Sequence, residues 1–198
     1  LPMVPKMQSY VKDTKDILNL VQEVSFHSDT DWLIGLDVES LYTNIPQQES
    51  LKVVEKVLRA ETWDHAAPIN FVLKLAELAL THNYFEYRGT FYLQQHGTSM
   101  GSTFAPSLAC LYVDDFEKEH IWTNNPYSGQ ILLWRRYIDD VLVIWRGDDL
   151  SINYFLEWLN SQNIYLNCTM TKSKEELAFL DILIKPDRGR LTTTMYYK

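Results

Sequence analysis

Two adjacent carboxylates lie inside an otherwise apolar, β-branched stretch, and they are residues whose chemistry needs an explanation. Asp139 and Asp140 stand in the middle of RRYIDDVLVIW, residues 135–145. Burying an unpaired charge is costly, so we consider three reasons for the pair. The aspartates could form a polar hairpin turn, pair with Arg135 or Arg136, or bind a divalent metal ion.

A third carboxylate makes the metal interpretation more specific. Asp37 lies near the end of the mostly apolar run DWLIGLDV, residues 31–38, where it could also simply cap the next turn. Three aspartates at the ends of neighbouring strands would offer the hard oxygen ligands that magnesium prefers. Two such ions clamp the attacking and leaving oxygens of a phosphoryl transfer. The three residues therefore predict a metal-dependent site for phosphoryl transfer.

The same Tyr-x-Asp-Asp pattern occurs a second time, at residues 112–115. It lies between APSLACL and FEKEH, a stretch with helical character and a charged face. Neighbouring side chains on a helix point about 100° apart, so Asp114 and Asp115 should diverge toward solvent. We expect these two carboxylates on a solvated helix face and assign the metal site to Asp139 and Asp140.

The periodicity of the chain predicts the elements that would position these residues. Helical patterns cover residues 9–25, with Ser9 as the cap, and residues 48–60, 69–83, 107–122 and 150–163. Strand-like runs cover residues 31–38, 131–145 (strand, turn, strand), 164–170, 177–184 and 190–197, with an aromatic hairpin at 84–94. This order favours an α+β fold in which helices pack mainly on one face of an antiparallel sheet of the split βαβ, or ferredoxin-like, type.

The composition limits the class of protein. A chain of 198 residues, 46% of them hydrophobic, is long enough for one domain with a sizeable core. No apolar run approaches the roughly 20 residues of a membrane span. Cys110 and Cys168 are far apart, so we expect buried thiols of an intracellular protein, nuclear or cytoplasmic. The net charge of −8 argues against an extended basic surface for nucleic acid.

Four motifs, in this order, resemble the palm motifs of reverse transcriptases: DVESLYTNIP, HGTSMGSTFAPSLA, RYIDDVLVIW and LAFLDILI. The motif sequences are most similar to those of Penelope-like retroelements, and the resemblance runs from about residue 9 to the end. The family's spacing between the glycine loop and the catalytic turn fits residues 137–140 and excludes residues 112–115. The resemblance implies a single polymerase-type palm over residues 1–198, partial in that most of the fingers, the thumb and any endonuclease are absent.

The resemblance also implies roles for individual residues. Asp37 and Asp139 would be the principal ligands of two Mg²⁺ ions, or Mn²⁺, with Asp140 in support. The backbone carbonyl of Val38 would complete one coordination sphere. Tyr42, five residues after Asp37, would lie under the nucleotide sugar and exclude a 2′-hydroxyl group, unless it is a core aromatic.

Further nucleotide-binding residues follow from the same resemblance. The glycine loop would run along the nucleotide and template through His96, Gly97, Met100 and Gly101, with His96 where many reverse transcriptases have glutamine. Lys172 or Lys174 would be the cation near the leaving pyrophosphate, or else a solvated strand charge. Residues 179–181 (FLD) resemble the region that grips the primer end, although Phe179 and Leu180 could be core residues.

The function that the resemblance implies is RNA-directed DNA polymerase. The partners would be an RNA or DNA template, a DNA primer and deoxynucleoside triphosphates, with no membrane; the oligomeric state stays open. Without basic fingers and a thumb, we expect the chain alone to be inactive. Two alternatives remain: an inactive or domesticated palm that acts as a binding or assembly module, and another two-metal nucleotidyl enzyme such as a cyclase.

Overall fold

The computed structural model describes residues 4–60 and 67–197, and the chain divides into two compact units. Among the described residues, one unit combines residues 4–39 with residues 119–197. The other unit is Ser40–Lys118.

The helices of the described residues are α1 (Thr14–Gln22), α2 (Leu41–Asn44), α3 (Gln47–Ala60), α4 (Ile69–Thr81), α5 (Ala105–His120) and α6 (Asp149–Ser161), with 3-10 turns at Val4–Lys6 and Ser128–Gln130. The strands are β1 (Asp31–Val38), β2 (Tyr84–Tyr87), β3 (Thr90–Leu93), β4 (Ile131–Tyr137), β5 (Asp140–Arg146), β6 (Cys168–Ser173), β7 (Leu177–Phe179), β8 (Ile182–Asp187) and β9 (Arg190–Met195). Among these helices, none combines the length and the apolar character that crossing a bilayer requires.

The first unit is built on a four-stranded sheet with the order β4-β5-β1-β6. Strand β1 pairs antiparallel with β5 on one side and with β6 on the other. With helices between β1 and β4 and helix α6 between β5 and β6, this is the split βαβ arrangement. The predicted α+β class and antiparallel sheet are confirmed.

Both faces of this sheet are covered within the unit. On one face, Leu33, Leu142 and Ile144 pack against α1 and the small antiparallel sheet β7-β8-β9 in one apolar cluster. On the other face, the Phe155 ring of α6 lies 4.9 Å from the Trp145 ring, centroid to centroid. The central strands β1 and β5 are therefore mostly apolar, and their acidic residues stand at the ends.

The second unit contains α2, α3, α4, the hairpin β2–β3 and nearly all of α5. Every residue of the hairpin strands is exposed, and cross-strand ring pairs join Tyr84 to Phe91 and Phe85 to Tyr92. The predicted aromatic hairpin is thus present. Helix α5 buries an apolar face that includes Cys110; Cys168, in the first unit, is buried as well, as predicted for both thiols.

Several predicted boundaries differ from the observed ones; the strand predicted over residues 164–170, for example, is β6 at Cys168–Ser173. The first helix begins at Thr14, because Asp13 caps it by accepting a hydrogen bond from the Asp16 N–H, while the Ser9 carbonyl accepts one from the Arg136 N–H. The run at 177–184 is not one strand. It turns back at Leu180, whose φ is 52°, and forms the antiparallel pair β7–β8.

Candidate active site

The pairing of β1 with β5 brings two of the three predicted aspartates together. Asp37 lies directly opposite Asp140, at the last pair of this ladder. Directly opposed residues of an antiparallel pair point to the same face, and like charges in such positions are destabilising. A cation between the two carboxylates would compensate this repulsion.

Asp139 lies in the two-residue turn that joins β4 to β5. Tyr137 pairs with Asp140 across this turn, so the predicted strand–turn–strand is confirmed. The Val38 N–H donates a hydrogen bond of 3.2 Å to the Asp139 carbonyl, which attaches the turn to the end of β1. The hairpin interpretation and the metal interpretation are therefore compatible, because one turn supplies Asp139 and places Asp140 opposite Asp37.

The electrostatics at Asp37 reflect this proximity. Although the residue is exposed, neighbouring protein atoms desolvate its carboxylate, and this desolvation raises the pKa of Asp37 above its usual value. The negative charges of Asp139 and Glu39 raise it further. A perturbed carboxylate beside a second carboxylate is the pattern expected at a functional site.

A cavity of about 290 Å³ adjoins the two opposed aspartates. Asp37, Asp140, Thr169 and Thr171 line it on the sheet side, and residues Leu177–Leu180 line it on the other side. Phe179 is buried and Leu180 is partly exposed. Phe179 and Leu180, from the region predicted to grip a primer end, therefore line the same cavity as two of the predicted metal ligands, Asp37 and Asp140.

The donor set suits a hard divalent cation, because carboxylate oxygens are the ligands that Mg²⁺ prefers. In residues 4–60 and 67–197, no three metal-ligating side chains form a preformed group. Mg²⁺ is commonly held by one or two carboxylates together with substrate phosphates rather than by a closed protein cage. Asp37, Asp139 and Asp140 fit this open type of site, to which a substrate would contribute ligands.

The second Tyr-x-Asp-Asp sequence lies on helix α5, as predicted, but its predicted exposure is wrong for Asp114. This residue is only 2% exposed, and its carboxylate forms an ion pair of 2.7 Å with Lys118. Asp115 is partly exposed and pairs with Lys56. The helix buries a wider face than the periodicity indicated.

Lys172 and Lys174 receive no support for a role near a leaving pyrophosphate. In the β1–β6 ladder, Asp37 lies opposite Thr169, whereas Lys172 lies opposite Ile34. Three residues of strand correspond to about 10 Å and reverse the face. Lys172 contacts Asp149 and Asn153 of α6, and the Lys174 ammonium donates to the Asp29 carbonyl and lies 4.8 Å from the centre of the Trp32 ring.

In the second unit, the glycine loop contacts the segment that carries Tyr42. The Thr98 N–H donates a hydrogen bond of 2.7 Å to the Tyr42 carbonyl. A Cβ atom on Gly97 would lie only 2.5 Å from that same carbonyl oxygen. Gly97 is therefore required by packing inside the protein, which is a different reason from the predicted close approach to a nucleotide.

The other predicted loop residues are accessible. His96 and Gly101 are exposed, and Met100 is 71% exposed. Gly101 has ample space for a Cβ atom, because the nearest atom would be the Ser99 hydroxyl at 3.8 Å. The fold does not require glycine at this position, so a ligand-based reason for Gly101 stays a prediction.

Sequence reasoning missed one residue of this region, Gln47. Its side-chain amide donates to the Leu80 carbonyl at 3.1 Å and to the Gly97 carbonyl at 3.0 Å. These partners are 33 and 50 residues away along the chain. No local pattern signals such contacts, since Gln47 lies just before the helix predicted over residues 48–60.

Comparisons with known proteins identify the family of the chain. The profile of the family described as "Reverse transcriptase (RNA-dependent DNA polymerase)" matches residues 2–182. A comparison with curated protein sequences gives no significant match.

Solved structures with a similar fold include two telomerases and a viral polymerase. Telomerase from Candida albicans in complex with the TWJ fragment of telomeric RNA has a TM-score of 0.73 at 12% identity, over 96% of this chain and 36% of that chain. Apo telomerase from Candida tropicalis, truncated from its C-terminal domain, has a TM-score of 0.71 at 10% identity, over 94% and 41% of the two chains. The BmCPV RNA-dependent RNA polymerase at quiescent state has a TM-score of 0.61 at 13% identity, over 92% and 18%.

The chain thus spans less than half the length of these solved structures. Their likeness shows a polymerase palm fold, and the family profile covers most of the sequence. The chain belongs to the reverse transcriptase family.

Proposed function

We propose that this chain is the palm domain of an RNA-directed DNA polymerase that extends a DNA primer by two-metal nucleotidyl transfer. The observation that carries the proposal is the position of Asp37 opposite Asp140, with a cavity alongside. Desolvation, together with the negative charge of Asp139, raises the pKa of Asp37 and supports the same assignment. The partners are an RNA or DNA template, a DNA primer and deoxynucleoside triphosphates. The sequences of the motifs favour the Penelope-like branch of the family.

In the proposed reaction, the primer 3′-oxygen attacks the α-phosphate of the nucleotide and pyrophosphate leaves. Asp37 and Asp139 would hold two Mg²⁺ ions, with Asp140 and the Val38 carbonyl in support. Such ions stabilise the attacking and leaving oxygens of an in-line displacement. The protein's own contribution is to fix the carboxylates at the end of the sheet through the turn that joins β4 to β5.

Tyr42 has a separate role in the proposal. Its ring would exclude a 2′-hydroxyl and so favour deoxynucleotides. The glycine loop beside its backbone, with His96, Met100 and Gly101 accessible, would lie along the nucleotide. Each of these roles follows from the motif resemblance.

The test is primer extension by the chain on an RNA template, with reverse transcriptase fingers and thumb domains supplied by fusion. Asp139→Asn keeps the shape of the side chain but removes its charge. Synthesis should fall by at least about 100-fold, the size of loss seen when one preorganised electrostatic group is removed. Asp115→Asn is the matched control from the second Tyr-x-Asp-Asp sequence, and it should leave synthesis nearly unchanged because a partly exposed ion pair contributes about 0–1 kcal/mol.

A second measurement does not depend on activity. In the 198-residue chain, Mn²⁺ should broaden the NMR signals of Asp37, Asp139 and Asp140 first, and Asp139→Asn should weaken this effect. Broadening centred on Asp114 and Asp115 would contradict the assignment. Metal binding at the predicted residues with equal synthesis by Asp139→Asn and wild type would favour the non-catalytic binding module instead.

A further inference from the structure

Gln47 connects the glycine loop to the helix pair α3 and α4. It is the first residue of α3, and its side-chain nitrogen donates to the Leu80 carbonyl in the last turn of α4 and to the Gly97 carbonyl in the loop. The last four carbonyls of a helix have no partner within the helix. One hydrogen of the amide therefore satisfies the end of α4, and the other reaches the loop.

Gly97 is held from its other side by the segment that carries Tyr42. Its φ is +69°, and a Cβ atom would lie 2.5 Å from the Tyr42 carbonyl oxygen and 2.6 Å from both the Cα and the carbonyl oxygen of Thr43. The adjacent Thr98 N–H donates to the Tyr42 carbonyl, and both Gly97 and Thr98 are buried. The loop is thus fixed between the Gln47 amide and the Tyr42 backbone.

We propose that Gln47 is a positioning residue for sugar selection: it holds the glycine loop against the backbone of Tyr42 and so fixes where the Tyr42 ring meets a nucleotide. This inference rests on the proposed function, in which Tyr42 excludes the 2′-hydroxyl. Gln47 needs no contact with the nucleotide. It acts through Gly97 and Thr98, which contact the Tyr42 segment directly.

The chemistry of the amide explains why glutamine suits this position. Two carbonyl oxygens face the side chain, and a neutral NH₂ group donates one hydrogen to each of them. Gln47→Glu has almost the same shape, but its carboxylate can only accept hydrogen bonds and would face the Leu80 and Gly97 carbonyl oxygens, which are also acceptors. The resulting repulsion would push the loop away. Gln47→Leu removes both donors without introducing a charge, and it serves as the second variant where the repulsion prevents folding.

Gln48 provides a matched control one residue further along α3. It is exposed, so Gln48→Glu and Gln48→Leu introduce the same chemical changes at a surface position of the same helix. General effects of a new charge or a lost amide on α3 would appear in both pairs of variants. Effects on the loop and on sugar choice should appear only at position 47.

The first measurement is hydrogen exchange of the Thr98 amide, which donates to the Tyr42 carbonyl. Loss of a typical hydrogen bond corresponds to about a fivefold change in an opening equilibrium. Exchange at Thr98 should therefore become about fivefold faster in Gln47→Glu and Gln47→Leu, and stay unchanged in the Gln48 variants. Unchanged exchange in the Gln47 variants would overturn the positioning role, whether or not the protein synthesises DNA.

The second measurement is the ratio of deoxynucleotide to ribonucleotide incorporation in the primer-extension assay. Gln47→Leu should lower this ratio by about three- to tenfold, since the opening of one hydrogen-bonded contact weakens the geometry without removing the ring. In a Tyr42→Ala background, Gln47→Leu should lower it no further. Independent, additive effects of the two substitutions would overturn the proposal.

The outcomes separate this inference from the proposed function. If Tyr42→Ala leaves the incorporation ratio unchanged, the role of Tyr42 in the proposed function fails, and so does sugar selection by Gln47. If Tyr42→Ala lowers the ratio but both Gln47 variants keep the wild-type value, only the inference about Gln47 fails.

Discussion

The contact between Gly97 and the Tyr42 segment predicts a large cost for adding a single methyl group. In Gly97→Ala, the new Cβ atom would meet the Tyr42 carbonyl oxygen at 2.5 Å and Thr43 backbone atoms at 2.6 Å. These are backbone atoms, which cannot move away by a side-chain rotation. The φ of +69° is an additional obstacle, because it is disfavoured for any residue with a Cβ atom.

The stability cost of Gly97→Ala has two parts, the left-handed backbone and the atomic overlap, and a second glycine separates them. Gly89, in the β2–β3 turn, has a similar φ of +78°, but a Cβ atom there would meet nothing within 4 Å. Gly89→Ala should therefore cost only the left-handed conformation, about 1–2 kcal/mol. Gly97→Ala should add the overlap, about 1–3 kcal/mol for overpacking, which gives about 2–5 kcal/mol in total.

Urea unfolding followed by circular dichroism measures the difference between the two variants. The free energy of unfolding should fall further in Gly97→Ala than in Gly89→Ala at similar m-values, so that stability rather than compactness has changed. Equal losses in the two variants would refute the reasoning, since they would mean that the backbone of Tyr42 and Thr43 does not press on Gly97. A change in m confined to Gly97→Ala would show instead that the variant no longer unfolds as the wild type does.

Two further predictions concern Asp37 and Gly101. Because the native pKa of Asp37 is raised, the folded chain binds that proton more tightly than the unfolded chain, and the metal-free stability falls as pH rises from 3.8 through the raised pKa. Desolvation and the charges of Asp139 and Glu39 cause this loss, and Asp37→Asn removes it. Without metal, the variant should therefore be more stable than wild type at pH 7, by no more than about 1 kcal/mol because solvent screens the exposed carboxylate. The gain should disappear below pH 3.8, and urea unfolding in a chelating buffer that shows no gain at pH 7 would contradict this reasoning. Gly101→Ala should change the free energy of unfolding by no more than about 0.5 kcal/mol, because its Cβ has space in the protein. It should raise the KM for the nucleotide, because the Cβ would stand between the backbone and a ligand. An unchanged KM in primer extension would remove the ligand-based reason for this glycine.

Much of the fold could be predicted because its signals are local. Strand β1 was predicted with its observed limits, because an apolar run of this length with polar residues on either side leaves little choice of ends. The β4–β5 hairpin was predicted because two largely hydrophobic runs flank the Asp139-Asp140 pair. The order of these elements along the chain then restricted the sheet to a split βαβ arrangement.

The errors arise where long-range contacts override a local pattern. The run LAFLDILI reads as one strand, yet the chain reverses at Leu180 because β7 and β8 both pack into the apolar cluster under the main sheet. Asp114 reads as a solvated helix residue, yet the packing of α5 buries it and leaves its partner Lys118 at the surface. Neither the reversal nor the burial is encoded in the neighbouring residues alone.

Lys172 of β6 and Lys174, just beyond it, illustrate a related limit for the candidate site. Their charge made them reasonable cations for a pyrophosphate, but a strand presents successive side chains to opposite faces. Only the register with β1 determines which face Lys172 occupies, and that register depends on residues more than a hundred positions apart. By contrast, Asp37 and Asp140 both lie at strand ends, where a single pairing brings them together.

The backbone of the β4–β5 turn is strained at Ile138, and the same turn places Asp139 near Asp37. Ile138 has a φ of 56°, which is an outlier for a β-branched residue and persists only when surrounding contacts enforce it. Two contacts do so: Arg136 Nη1 donates to the Ile138 carbonyl, and the Val38 N–H donates to the Asp139 carbonyl. The second of these contacts also holds Asp139 beside the end of β1, where its charge raises the pKa of Asp37. Desolvation is the largest cause of the raised pKa of Asp37, and the closure of the hairpin tip onto the strand end adds the repulsion from Asp139. The same closure enforces the strained turn, and a cation bound between the carboxylates would relieve this repulsion.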